Sequence, residues 1–169
     1  MSATTLLIRT ALPAEYAAVG SLTADAYAPV LADGQDDPYR QVLLDARSRG
    51  EQAELLVAVD ANQRLAGTVT LGRPGTAYAQ IAREDELEVR MLAVAVGRER
   101  QGVGRQLMSE ANNIAKREGF RSLVLSVIGS NTTALTFYER LGYQREPGRD
   151  WLPRADMELM LQVLTYQVT

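Results

Sequence analysis

Neither cysteine nor histidine occurs anywhere in the 169 residues. The first absence excludes disulfides, thiolate nucleophiles and thiolate metal sites. The second removes the usual base of serine-type triads and leaves only carboxylates for a zinc site, so no metal is expected. Proton transfers in an enzyme built on this chain fall to Glu, Asp, Tyr, Lys or water. Positive charge is not in excess either. Eighteen Lys and Arg (18) against 21 Asp and Glu give a net charge of −3, which argues against the broad basic face of a nucleic-acid binder. No apolar run approaches a membrane span, and the N-terminus lacks the basic-then-apolar layout of a signal peptide. A cytoplasmic protein with neither nucleic acid nor membrane as partner is expected. An apolar fraction of 46% and a charged fraction of 23% are those of an ordinary globular protein, and the length suits one domain over residues 1–169.

What is present alternates between two periods. Strands are expected at 4–10, 54–59, 65–71, 86–96, 122–127 and 157–164, from alternating or continuous apolar runs. The "DANQR" segment (60–64) joins the second and third as a hairpin. Helices are expected from Pro13 to Tyr27, with Tyr16, Val19, Thr23 and Ala26 on one face, and from Asp37 and Pro38 to Gly50, with Tyr39, Val42, Leu43 and Ala46 on one face. A third carries the stripe Val103, Leu107, Ala111 and Ile114 and closes at Gly119. A fourth runs from Asn131 with Ala134, Phe137, Tyr138 and Leu141, and Gly142 stops it. Segment 72–85 is expected as a polar, mobile connection. The order gives a mixed α/β domain, with a central sheet flanked by about four helices. In the strand "ELEVRMLAVAV" (86–96), strict alternation puts Leu87, Val89, Met91 and Ala93 on one face, and Glu86, Glu88, Arg90 and Leu92 on the other.

The stretch "RERQGVGRQLM" (98–108) sets Gly102 and Gly104 among basic and amide side chains at the start of a helix. A Walker loop fails, because Val103 and Gly104 stand where Lys and Ser or Thr are needed. A dinucleotide fingerprint fails as well, because Leu107 occupies its third glycine position. Two readings are left: an ordinary turn that needs glycine for its backbone angles, or a helix N-terminus whose free N–H groups and dipole hold an anion.

This stretch, followed by "SNTTALTFYERLGY" (130–143), resembles the GNAT superfamily of N-acetyltransferases. That family carries Gln/Arg-x-x-Gly-x-Gly/Ala, matched at Gly102 and Gly104 but departing at Glu99. Its later motif Asn-x-x-Ala-x-x-Phe-Tyr-x-x-x-Gly-Phe/Tyr is matched at Asn131, Ala134, Phe137, Tyr138, Gly142 and Tyr143. The resemblance implies a mostly antiparallel, twisted mixed sheet and acetyl-CoA as co-substrate. The amides of Arg100, Gln101, Gly102, Val103, Gly104 and Arg105 would wrap the pyrophosphate. The strand edge at Leu92, Ala93 and Val94 would pair with the pantetheine arm, the Leu92 N–H facing the thioester oxygen. Asn131 would contact the pantetheine side, and Tyr138 would reach the sulfur as proton donor.

Direct attack by an amine on a thioester needs neither cysteine nor metal, which suits the absent residues. Glu88 is the candidate base, since an amine with a pKa of about 10.4 must lose a proton; a structural salt bridge with Arg90 is its alternative. Tyr27, Glu88, Arg90 and Trp151 are candidates for lining the acceptor site, and Glu84, Asp85, Glu86 and Glu88 for attracting a cationic amine. The bland readings are a core tyrosine with a satisfied hydroxyl for Tyr138 and a plain helix cap for Asn131. Glu99 is expected to point outward and pair with an arginine. The implied activity is acetyl transfer to a small-molecule or peptide amine, with a homodimer left open. A catalytically silent acetyl-CoA-binding regulatory domain is the alternative, and a flavin or nucleotide binder lacks any supporting fingerprint.

Overall fold

The computed structural model describes residues 5–158 and 160–169. Seven strands form one sheet in the order β1-β2-β3-β4-β5-β7-β6. They are β1 (Leu7–Thr10), β2 (Glu54–Val59), β3 (Leu65–Gly72), β4 (Glu86–Val94), β5 (Ser122–Ile128), β6 (Gln144–Arg145) and β7 (Leu161–Gln167). Only the β4–β5 pair is parallel. The last strand thus begins later than expected, and Leu159 of the expected segment lies outside the described residues, as does Thr4 of the first.

The side chains of β2 show how the layers arise. Leu56 and Ala58 join the core under helix α4 (Val103–Glu118), while Leu55, Val57 and Val59 join a second core with Val19 and Ala46. Period-two alternation therefore buries both faces of the sheet. Helices α4 and α5 (Thr132–Arg140) cover one face. Helices α1 (Tyr16–Tyr27), α2 (Tyr39–Leu44) and α3 (Ala46–Gln52) lie on the other.

Five helices stand where about four were expected, because the helix read over 37–50 is two. Its start is as expected: the Asp37 carboxylate accepts the Tyr39 N–H at 2.9 Å. At Asp45, however, the backbone leaves helical angles, and its carboxylate accepts the Ser48 N–H at 3.0 Å, starting α3 afresh. Gly50 does not terminate this helix. It sits inside α3, where a Cβ would collide with the Tyr16 ring. The break also dissolves the expected stripe: Leu43 and Ala46 are buried, but Tyr39 and Val42 are 36% and 42% exposed.

The alternation expected along β4 fails at Met91. Thr70 of β3 faces Arg90 and Thr68 faces Ala93, so Val69 opposes two residues, Met91 and Leu92. Met91 takes a left-handed φ of 54° to make this bulge, and the extra residue switches the faces that follow. Leu87 and Val89 lie in the α4-side core, where Leu92 and Val94 also pack, whereas Met91 joins Ala24 and Leu43 on the opposite side. Glu88 and Leu92 therefore do not share a face.

Candidate active site

The bulge coincides with a parting of strands. Parallel pairing between β4 and β5 covers only Glu86–Glu88 against Ser122–Val124. Beyond Glu88, β4 continues to Val94 and β5 to Ile128 without a mutual ladder, so a wedge opens in the middle of the sheet. Backbone groups along such an edge need partners from elsewhere.

At the mouth of the wedge the chain turns into α4 through three left-handed residues, Gly97, Arg100 and Gly102, at φ 86°, 62° and 80°. A Cβ on Gly102 would meet nothing within 4 Å, so this glycine serves its backbone angle and leaves the space above it open. Among the described residues, nothing accepts the N–H groups from Arg100 to Arg105; the first helical bond runs from the Gln106 N–H to the Gly102 carbonyl. Gly104 differs. Its missing side chain admits the Phe137 ring, whose nearest atom would lie 3.1 Å from a Cβ. The second glycine of the motif thus packs α4 against α5.

Charges around the turn divide into engaged and free. The Arg98 guanidinium donates to Asp60 at 3.0 Å, tying the turn to the β2–β3 hairpin. Backbone N–H groups of Arg64 and Asn62, then the two arginines, hold Asp60 down to a pKa of about 2. Arg100 and Arg105 are exposed and have no ion pair among the described residues. Glu99 is exposed as expected, but it pairs with no arginine: its carboxylate folds back to accept the Gly97 N–H at 2.8 Å.

On α5, the Asn131 side-chain oxygen accepts the Ala134 N–H at 3.1 Å, so the cap is real. Tyr138 has its ring in the core, edge-on to Phe137 and Tyr143 at 5.1 and 5.4 Å. Its hydroxyl finds no hydrogen-bond partner among the described residues, and it is not sealed in as the Tyr143 hydroxyl is. The satisfied core hydroxyl of the bland reading is absent. Burial, with Tyr143 nearby, pushes the Tyr138 phenol up, so it stays protonated.

At the closed end of the wedge Glu88 is 2% exposed. One carboxylate oxygen accepts the N–H groups of Ile81 and Ala82 at 2.9 and 3.1 Å. Burial raises its pKa, and these N–H bonds and Arg90 only partly oppose the rise. No ion pair joins Glu88 to Arg90. The guanidinium of Arg90 instead lies over the Tyr78 ring, 5.6 Å from its centroid. The acidic cluster expected here is dispersed. Glu86 takes a two-pronged bond from Arg149 at 2.8 and 2.9 Å, Asp85 faces Arg121, and Glu84 is exposed. Arg149 also donates to the Ile81 carbonyl at 2.8 Å, which ties down the connection expected to be mobile over 72–85, whose first residue, Gly72, belongs to β3. At its other end that segment is anchored by Arg73, bonded to Glu54 and Glu118.

Tyr27 lies beside this end. Burial first, then the phenols of Tyr138 and Tyr39, push it well up, with Arg90 and Arg49 pulling back. The structure therefore brings Tyr27, Glu88, Arg90 and Tyr138 to one region. Trp151 stands apart: it pairs through its backbone with Leu161 on the far side of β5. Sequence reasoning missed Arg49, Thr70, Tyr78 and Arg149. Only Arg49 left a trace, at i+3 from the apolar Ala46.

Comparison with known proteins adds an independent line. The family model described as "Acetyltransferase (GNAT) family" matches residues 18–143. A GNAT-family acetyltransferase structure from Staphylococcus aureus Mu50 superposes with TM-score 0.73 at 15% identity, over 98% of this chain and 100% of that one. The paia N-acetyltransferase of Thermoplasma acidophilum, solved with coenzyme A, gives 0.69 at 17% identity over 96% and 99%. The yncA structure from Salmonella typhimurium, which holds its cofactor acetyl-CoA, gives 0.66 at 21% identity over 97% and 94%. At these identities the likeness concerns the fold. No curated protein matches in sequence.

Proposed function

The chain belongs to the GNAT acetyltransferase family, and on that premise we propose that it moves an acetyl group from acetyl-CoA to a primary amine by direct attack in a ternary complex. The observation that carries this reading is the wedge. An unpaired strand edge leads into a run of acceptor-free N–H groups, with a buried carboxylate at one end and an unpartnered phenol beside it.

The fit to coenzyme A rests on the same features. The Arg100–Arg105 amides and the open space above Gly102 suit a pyrophosphate, with Arg100 and Arg105 adding charge that no carboxylate cancels. The β4 edge at Leu92, Ala93 and Val94 suits the amides of a pantetheine arm, with Asn131 bordering it from α5. Bound acetyl-CoA supplies an acyl thioester, whose carbonyl carbon is open to a nitrogen lone pair.

The side chains then account for the protons. Glu88, its pKa raised by burial, takes one proton from the incoming ammonium through water, which frees the lone pair for attack, and later releases that proton to solvent. As the C–N bond forms and the C–S bond breaks, Tyr138 gives its proton to the departing sulfur, and the second proton of the nitrogen passes through water to the phenolate and restores it. A thiol pKa of about 8.5 makes that sulfur a moderate leaving group, so the phenol assists without being indispensable. The Leu92 N–H receives the charge that builds on the carbonyl oxygen, a contribution of ~3–4 kcal/mol for one such donor. The test is release of free coenzyme A thiol from acetyl-CoA in the presence of a panel of amines, followed by mass detection of the acetylated product. Binding of acetyl-CoA with no amine-dependent thiol release would assign the chain to the silent regulatory class instead.

A further inference from the structure

On the α1 side of β4, the wedge is bordered by two guanidiniums, Arg49 and Arg90, that make no ion pair among the described residues. Arg90 has neither an ion pair nor a hydrogen bond among the described residues. Arg49 is fully buried, and its Nη1 caps the carbonyls of Val42 and Leu43 at 3.0 Å each. Its Nη2 reaches only the Thr23 hydroxyl at 3.4 Å, and its Nε has no partner at all. The two guanidiniums share neighbours: Tyr78 lies under Arg90 and near Arg49, and Tyr27 feels both. Burial lowers the Arg49 pKa, and nearby phenols and Asp45 only partly oppose it; a buried cation with no directly paired carboxylate is costly unless something else supplies the charge.

A separate observation points the same way. Thr70 faces Arg90 directly across the β3–β4 ladder, so the two side chains project from the same face of the sheet. Thr70 is fully buried, and its hydroxyl has no partner. Most buried hydroxyls in folded proteins are bonded. An acceptor atom placed against Arg90 would satisfy Thr70 as well.

Resting on the acetyl-transfer reading above, we propose that the amine acceptor is a free amino acid, whose carboxylate is held by Arg90 and Thr70 with Arg49 behind them. The strand sets the fit. Glu88 and Arg90 are two residues apart on one face before the bulge, ~6.6 Å along the strand. A molecule that carries an ammonium and a carboxylate close together can therefore meet both. Glu86 is neutralised by Arg149, so among the described residues Glu88 is the carboxylate of β4 left without an ion pair. One carboxylate beside two guanidiniums suits a zwitterion. It does not suit a polyamine, which would bring cations to cations.

The experiment titrates the coenzyme A-loaded protein calorimetrically with each standard L-amino acid and with the amine left by its decarboxylation. At least one amino acid should bind tenfold or more tightly than its matched amine. Arg90→Gln should bring that ratio close to one, with Arg90→Lys restoring part of it and coenzyme A affinity unchanged in both. Thr70→Val should lower the ratio by about threefold, with the melting temperature level or raised because a buried unpaired hydroxyl is gone. No amino acid preferred over its amine, or a preference that survives Arg90→Gln, overturns the proposal. Thiol release separates it from the parent reading. Arg90-dependent amino acid binding without thiol release sinks acetyl transfer alone. Release with decarboxylated amines and no amino acid preference sinks this proposal alone.

Discussion

The two ends of β4 are built in opposite ways. At its C-terminal end, residues 100–105 present backbone N–H groups without acceptors among the described residues, and the turn is shaped by backbone angles at Gly97, Arg100 and Gly102. At its N-terminal end, around Glu88 and Arg90, the groups are side chains, buried or half-buried, and drawn from α1, α3, β3 and the segment after it. Amides offered by a turn are always present and never titrate, so they suit a ligand part that is constant. Side chains collected from distant segments can be exchanged singly, so they suit a part that differs between enzymes. The proposed roles follow this division, with the turn for the common donor and the opposite end for the particular acceptor.

The largest effect expected from breaking this contrast is at the buried end. Glu88→Gln should lower kcat/KM by about a hundredfold or more, the scale of a lost general base, while coenzyme A affinity measured by calorimetry stays level. The wild-type acid limb gives the sign. Burial raises the Glu88 pKa, so the carboxylate becomes protonated at a pH where an ordinary glutamate, near 4.3, is still ionised. Activity should fall as pH drops through that raised value, and Glu88→Gln should lack this limb. Its deficit should shrink at high pH, where the amine loses its proton unaided. A deficit constant across pH would make Glu88 a structural clamp on Ile81 and Ala82.

At the turn, the two glycines should separate. Gly102→Ala forces a side chain into a left-handed conformation at a cost of ~1–2 kcal/mol. It should weaken coenzyme A by about tenfold, because the amides are displaced. Gly104→Val meets the Phe137 ring, so its main effect should be on thermal stability, by ~1–3 kcal/mol, with weaker binding following from that. Coenzyme A affinity lost equally in both, with neither destabilised, would show that the ligand itself approaches Gly104. Tyr138→Phe should come next, with turnover reduced by about tenfold, below the usual range for a lost acid, and coenzyme A affinity unchanged.

The same contrast governs how much could be read from the residues in order. The turn and α5 were legible because their groups lie within a few positions of one another: Gly102 and Gly104, Asn131 and Tyr138. Helix α4 followed its apolar stripe for the same reason, with Val103, Leu107, Ala111 and Ile114 all buried. The bulge at Met91 was not legible, because adjacent apolar residues such as Met91 and Leu92 occur equally in an unbulged strand covered on both faces. The extra residue shows only when β3 is laid beside it. Arg49 differs from Arg47 in sequence only by its i+3 spacing from Ala46, and its role appears only when Thr23 and the end of α2 close around it. Arg149 gains its role only by meeting Glu86 and Ile81, which are more than sixty residues earlier.

The smallest expected effect concerns Glu99, where the turn departs from its family. A carboxylate near a pyrophosphate is repulsive by ~1 kcal/mol at surface-like dielectric, yet this one also accepts the Gly97 N–H at 2.8 Å. Charge and geometry therefore pull in different directions, and two substitutions part them. Glu99→Gln keeps an acceptor oxygen for Gly97 and removes only the charge, so coenzyme A should bind about threefold more tightly at low salt, with the gain fading as ionic strength rises. Glu99→Arg adds a positive charge but leaves the Gly97 N–H without its acceptor. Because that N–H is exposed, water replaces the bond at a cost of ~1 kcal/mol in turn order. The two terms should nearly cancel at moderate salt, leaving Glu99→Arg no better than Glu99→Gln although it carries one charge more. Calorimetry at two ionic strengths decides between them. Arginine clearly ahead of glutamine at both would mean that the carboxylate holds nothing in place, and that the turn is set by its left-handed residues alone.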